Sequence, residues 1–145
     1  MEPTAPPPEL MASDAEIGAI LQDHRVVAMV GLSNDPNRPS YRVAQYLKEH
    51  GYRVIPVNPG CREILGEPCY ASLKDIPFPV DIVDIFRKLE AIPPLVAEAI
   101  QVGAKVVWMQ LGLVAPDAAR LARQAGLKVV MDRCMKIEHA QQMAG

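Results

Sequence analysis

The apolar residues of this chain gather in five short runs separated by helical patterns, and that alternation restricts the fold more than any other feature. Val26-Val27-Ala28-Met29-Val30 is continuous and ends at Gly31, as a strand buried on both faces would be. Arg53–Val57, Val80–Phe86, Lys105–Leu111 and Lys128–Met131 repeat the theme, with Pro56 expected near the end of its strand. Ser13 and Glu16 have capping-box spacing, which opens a helix running to about His24. Ser40 reads as the N-cap of a helix through His50, with Val43, Ala44 and Leu47 on one face. Further helices are expected from Pro93 or Pro94 to before Gly103, from Pro116 to Gly126, and within Arg133–Gln142. Cys61–Pro79 reads as irregular, with one helical turn at Ser72–Ile76. Strand–helix–strand repetition with short links demands right-handed crossovers, hence an α/β fold: a Rossmann-like three-layer sandwich with a five-stranded parallel sheet.

A length of 145 residues supports one core but not two ordinary domains. Glu2–Glu9 contains four prolines and predicts a flexible, extended tail over residues 1–12, leaving 13–145 as the folded domain. A formal charge of −2 gives no reason to expect nucleic acid as a partner. No apolar run approaches the roughly 18 residues of a membrane span, and Met1–Glu9 lacks the basic and apolar parts of a signal peptide. The expectation is a soluble cytoplasmic protein without a membrane partner. Cys61, Cys69 and Cys134 are odd in number and lack C-x-x-C spacing, which argues against a disulfide framework or a four-ligand zinc site.

Open parallel sheets bind ligands beyond the carboxyl ends of their strands, where strand order reverses. The first segment there is Gly31–Arg42. A helix start with exposed amides, flanked by Arg38 and Arg42 and by the short donors of Ser33, Asn34 and Ser40, suits an anion. Only Gly31 remains of a G-x-G-x-x-G pattern, so an ordinary capped strand–helix loop is the competing reading. The second segment is Val57-Asn58-Pro59-Gly60-Cys61-Arg62. Asn58 stands where a dinucleotide enzyme places Asp or Glu for a ribose hydroxyl, which weakens the case for NAD. Pro59 and Gly60 offer a flat wall for a purine and Arg62 a charge for a phosphate, but a plain tight turn explains them equally.

Taken together, Val30–Ser33, Arg38-Pro39-Ser40, Gly51–Pro59, Asp81–Arg87, Val107–Gly112 and Asp132-Arg133-Cys134 resemble the small stand-alone CoA-binding proteins of bacteria and archaea. Those are similar to the nucleotide-binding N-terminal domain of the succinyl-CoA synthetase α subunit. The resemblance runs from about His24 to His139 and keeps its motifs in order. It implies that Gly31, Ser33, Asn34, Arg38, Ser40 and Arg42 hold the CoA diphosphate, and that Val57, Asn58 and Pro59 lie along the adenosine. Ile85, Phe86 and Arg87 would flank the adenine, and Gln110 and Gly112 the pantetheine arm. The synthetases carry a Lys for the 3′-phosphate; that place falls here near Cys61, with Arg62 beside it. The first loop is also longer and poorer in glycine than theirs.

Other polar residues have plainer readings. His24, His50 and His139 fall at the ends of predicted helices, and the phosphorylated histidine of the synthetases belongs to a domain absent here. Asp132–His139 reads as a terminal segment held by an Asp132–Arg133 or Glu138–Arg network, against a thiol chemistry built on Cys134 and His139. Asp81 and Asp84 need partners inside a buried strand; bonds from loop backbone to Asp84 would shape the pocket. Free thiols at Cys61 or Cys134 allow a mixed disulfide with CoA. The expected function is therefore binding of CoA or an acyl-CoA without turnover by this chain alone. The alternative is a small NAD(P)-dependent or acyl-CoA-transforming enzyme.

Overall fold

The computed structural model describes residues 5–144. Five parallel strands form the sheet: β1 (Val26–Val30), β2 (Arg53–Val57), β5 (Ile82–Ile85), β6 (Val106–Met109) and β7 (Lys128–Val130). Their order is β2-β1-β5-β6-β7. The chain thus steps from β1 to β2, returns to the far side of β1, and continues outward. Right-handed crossovers then require the helix of the first step to lie on one face and those of the later steps on the other. That is observed: α2 (Pro39–Glu49) joins α1 (Asp14–Asp23) and α5 (Met135–Ala144) on one face, while α3 (Ile92–Gln101) and α4 (Pro116–Gln124) cover the opposite one.

Strand alternation feeds both layers. Ala28, Val30, Val83, Ile85, Val107 and Met109 pack toward α3 and α4; Val27, Met29, Ile82, Val106 and Trp108 pack toward α1, α2 and α5. Trp108 is fully buried and its Nε1 donates to the Arg133 carbonyl at 2.8 Å, tying β6 to the segment before α5.

Several expectations are corrected. Helix α2 starts at Pro39, and its N-cap is Arg38 rather than Ser40. A proline at the first helical position has a preset φ and forfeits no hydrogen bond there, so the helix begins two residues early. The stretch Cys61–Pro79 contains a hairpin of β3 (Glu63–Ile64) and β4 (Glu67–Pro68), turned by Leu65 and Gly66, both at positive φ. Beyond it, Tyr70 pairs with Val57 and shields the outer side of edge strand β2 next to Pro56. Within the segment expected to be an extended tail, Pro8–Leu10 forms a 3-10 turn. Leu10 is buried on the α4 side, and its carbonyl accepts from the Arg123 guanidinium at 3.3 Å. Residues 1–4 of that segment lie outside the described residues. Among the described residues, no helix is long and apolar enough to cross a membrane.

Candidate functional site

Strands β2 and β5 flank β1, so the strand order reverses at β1 and the loops after β1, β2 and β5 converge there. Gly31 makes the first turn. Its φ is +86°, and a Cβ built on it would sit 2.2 Å from the Phe86 carbonyl oxygen and 2.9 Å from Cδ of Arg87. Only glycine lets the β1 and β5 loops approach this closely. The Gly31 amide donates to the Val57 carbonyl, and Asn58 Nδ2 donates to the Leu32 carbonyl at 2.9 Å. Asn58 Oδ1 accepts from the Gly60 amide, so both ends of this side chain are spent on fastening the β2 loop to the β1 loop.

Ser40 has a related duty. It is buried, and its Oγ accepts from the Ser33 amide at 2.9 Å, folding the loop back over the start of α2. Ser33 Oγ accepts from the Asp35 amide, and the Asp35 carboxylate accepts from the Asn37 amide. Asp35 is therefore exposed and turned to its own loop. No side chain caps α2, so the Ser40 and Tyr41 amides have no side-chain acceptor at the positive end of an eleven-residue helix. A helix start of this kind favours an anion by about 0.3–1 kcal/mol when exposed.

A cavity of about 390 Å³ opens at this point, lined by Gly31, Ser33, Arg38, Pro39, Ser40, Asn58 and Phe86. Round the same loops lies another of about 600 Å³, lined by Asn34, Gly60, Cys61, Arg62, Glu63, Gly66 and Pro68. Both volumes are in the range of ordinary small-molecule sites. Among the described residues, Arg38, Arg42, Arg62 and Arg87 form no ion pair, although five ion pairs occur elsewhere. Four exposed guanidiniums without carboxylate partners gather at the carboxyl edge, where Asp35 and Glu63 are the nearby acidic side chains.

The expected site residues divide accordingly. Gly31, Ser33, Arg38, Ser40, Asn58 and Phe86 line the smaller cavity, and Asn34 and Arg62 the larger. Arg87 lies over Gly31, while Arg42 is one turn further along α2 and Pro59 is exposed beside the larger cavity's Gly60. Val57 and Ile85 are buried toward α3 and α4, so their side chains do not reach the crevice and only their backbone borders it. Gln110 also departs from expectation: it is buried, and its Oε1 accepts from the Met135 amide at the start of α5. Gly112 donates to Asp132 Oδ1 at 2.7 Å, and the intervening Leu111 lines a separate cavity of about 340 Å³ with Met11, Val130 and Met131. Pro39 is a cavity residue that sequence reasoning passed over; its place at a helix start between Arg38 and Ser40 was the available signal.

The remaining polar residues fall outside the crevice. His139 lies within α5 rather than at a helix end, buried against Tyr46, His50 and Tyr52, with Tyr46 Oη 2.9 Å from its Nδ1. Burial, with His50 and Arg25 nearby, holds its pKa below the ordinary histidine value. Arg133 pairs with Glu138 at 3.6 Å, whereas Asp132 serves Gly112 instead of Arg133. Asp81 caps the entry to β1, accepting from the Arg25 and Val26 amides. Asp84 is the exception: it is fully buried on β5 between Met29 and Trp108, and neither oxygen has a hydrogen-bond partner. Burial lifts its pKa well above the ordinary value. The loop-backbone bonds expected for Asp84 are not present.

This geometry has counterparts. Residues 25–140 match the CoA-binding domain family. The chain belongs to that family. It is 43% identical over 128 residues to the uncharacterized protein YneT of Bacillus subtilis, covering 88% of this chain and 95% of that one. A solved structure of a hypothetical protein from Pyrococcus horikoshii OT3 superposes with a TM-score of 0.89 at 42% identity, covering 99% of both chains. A larger protein, acetate–CoA ligase (ADP-forming) II of Archaeoglobus fulgidus, is 36% identical over 81 residues, which are 54% of this chain but 12% of that protein. This family member thus corresponds to whole small proteins and to one part of a much longer ligase.

Proposed function

We propose that this chain binds CoA or an acyl-CoA across the carboxyl edge of its sheet, recognising the ligand without transforming it alone. The observation that carries the reading is the crevice between the β1 and β5 loops, where Gly31, Ser33, Arg38 and Ser40 meet the uncapped start of α2. A diphosphate there would accept from the Ser40 and Tyr41 amides and face the Arg38 guanidinium, with Arg42 and Arg87 adding charge at longer range. Adenosine would lie along Asn58 and Pro59 toward Phe86, and Arg62 would meet the 3′-phosphate from the larger cavity. The pantetheine arm would run past Leu111 and Gly112, with Gln110 acting only through the backbone it holds. Membership of the CoA-binding domain family supports the ligand class, as does the likeness to part of an acetate–CoA ligase. Asn58 counts against NAD, because both ends of its amide are already engaged where a carboxylate would hold the ribose. His139 is enclosed by aromatic rings on the α5 side, away from this crevice.

Calorimetric titration with CoA, ADP and NAD tests the assignment. CoA is expected to bind most tightly, and Arg38→Ala to weaken it by about 1.5–3 kcal/mol, as loss of a charged hydrogen bond does, with a shallower salt dependence. Tighter binding of NAD than of CoA would overturn the ligand, and unchanged affinity in the variant would remove Arg38 from the site.

A further inference from the structure

At the far end of the carboxyl edge, beyond β6 and β7, lies the cavity of about 340 Å³ bordered by Leu111. Its apolar walls come from three parts of the chain: Leu111 after β6, Val130 and Met131 at the end of β7, and Pro6 and Met11 from the segment before α1. That segment is tied down. Leu10 is buried, its carbonyl accepts from the Arg123 guanidinium, and Glu9 pairs with Arg120 at 3.4 Å. The polar part of the lining is already engaged. Asp132, at φ 58°, accepts from the Gly112 amide and so holds Leu111 at the rim, while Glu138 pairs with Arg133. Leu111 and Met11 nevertheless remain 59% and 49% exposed, two large apolar side chains beside one hollow. Apolar surface gathered and left open in this way is stabilised by whatever covers it.

Distance decides what can cover it. From β1, whose loop leads into α2, the sheet passes through β5 and β6 to β7. At ordinary strand spacing that is about 14 Å. The pantetheine arm of CoA has as many chain bonds as about four extended residues and spans about 14 Å. A diphosphate held at the start of α2 would therefore deliver the CoA sulfur to the mouth of this cavity, and the group carried on that sulfur would be the first to enter. We propose that the cavity is an acyl subsite, and that the ligand of this chain is a CoA thioester of an uncharged aliphatic acyl group. The proposal rests on the placement of the diphosphate and pantetheine given above. The acyl chain lies against Leu111, Met11 and Met131, where the unbranched methionine side chains adapt to its length. An acyl group ending in a carboxylate would meet Asp132 and Glu138 with only Arg133 to offset them, and is disfavoured.

Calorimetric titration of the full chain with CoA, acetyl-CoA, hexanoyl-CoA and succinyl-CoA tests this. Each buried methylene adds about fourfold in affinity, so hexanoyl-CoA should bind about tenfold tighter than acetyl-CoA even with half of its chain left in water. Succinyl-CoA should bind no tighter than CoA. Peptide-mapped oxidation by hydrogen peroxide then locates the chain: hexanoyl-CoA should slow sulfoxide formation at Met11 more than acetyl-CoA does, while Met143, 72% exposed on α5, reacts unprotected with either. Equal affinity for the acetyl and hexanoyl thioesters, with CoA still bound, would overturn the acyl subsite and leave CoA binding standing. Loss of binding by all four ligands would overturn both. A hexanoyl preference without protection of Met11, or succinyl-CoA binding as tightly as hexanoyl-CoA, would also overturn the subsite.

Discussion

At the scale of single residues, Asp84 stands out among the described residues as a buried group without compensation. Asp84 is a carboxyl group with no hydrogen bond in the middle of a parallel sheet. Its pKa is raised on folding, so the native state holds a proton that the unfolded chain releases above its ordinary value of 3.8. Stability from this group is complete below that value and is lost as pH rises toward the native pKa. Asp84→Asn keeps the shape and removes the titration. It should stabilise the fold more at pH 7, where the native carboxyl withholds a proton that the unfolded chain releases, than near pH 3.5, where both states hold it. Urea unfolding at several pH values measures this; an equal effect at both ends of the range would show that Asp84 does not titrate as described. The residue scale also shows where sequence reading failed. Val57 and Ile85, expected along the ligand, turn their side chains into the core toward α3 and α4, and the Gln110 amide is spent on the Met135 backbone, because alternation along a strand sends one of each two neighbours inward. Arg38, Ser33 and Asn34 were legible because loop residues after a glycine turn have fewer places to go.

At the scale of elements, α5 depends on an aromatic cluster. His139 is enclosed by Tyr46 of α2, by His50 at the C-cap of that helix and by Tyr52, with Arg25 and Lys136 as the nearby cations. Its pKa is lowered, so the native state refuses a proton that the unfolded chain accepts. That stability is present above the ordinary value of 6.5 and declines as pH falls through it toward the native pKa. The melting temperature should therefore drop between pH 7 and pH 5, and His139→Gln should flatten the decline; an unchanged slope in the variant would assign the effect to other groups. Elements were otherwise well signalled. The five strands are mostly apolar runs, with Asp84 the charged exception inside β5, and the prolines of α3 and α4 mark their starts. The β3–β4 hairpin and the Pro8–Leu10 turn escaped the sequence pattern for identifiable reasons. The β3–β4 hairpin has two-residue strands rich in charge and a turn that puts Leu65, a non-glycine, at φ 52°. The Pro8–Leu10 turn lies in a segment whose prolines concealed the single buried leucine.

The whole molecule is a doubly wound sheet whose reversal at β1 concentrates the turn glycine, an uncapped helix start and unpaired arginines on one edge. That edge was readable from topology alone, because strand alternation with short links leaves few arrangements. Its finer chemistry was not, since hydrogen bonds such as Ser33 to Ser40 and Asn58 to Leu32 join residues far apart in the chain or within an irregular loop. The charge distribution follows the same division: ion pairs satisfy Arg53, Arg120 and Arg133 elsewhere, while Arg38 and Arg62 remain available at the carboxyl edge.

A crystal structure of the chain grown with excess CoA tests the account at its centre. The diphosphate should lie over the start of α2, within hydrogen-bond distance of the Ser40 and Tyr41 amides and the Arg38 guanidinium, with the adenine beside Asn58 and Pro59. CoA seated instead in the cavity under Met11 and Leu111, or a crevice closed by the Arg87 side chain with no ligand admitted, would contradict it.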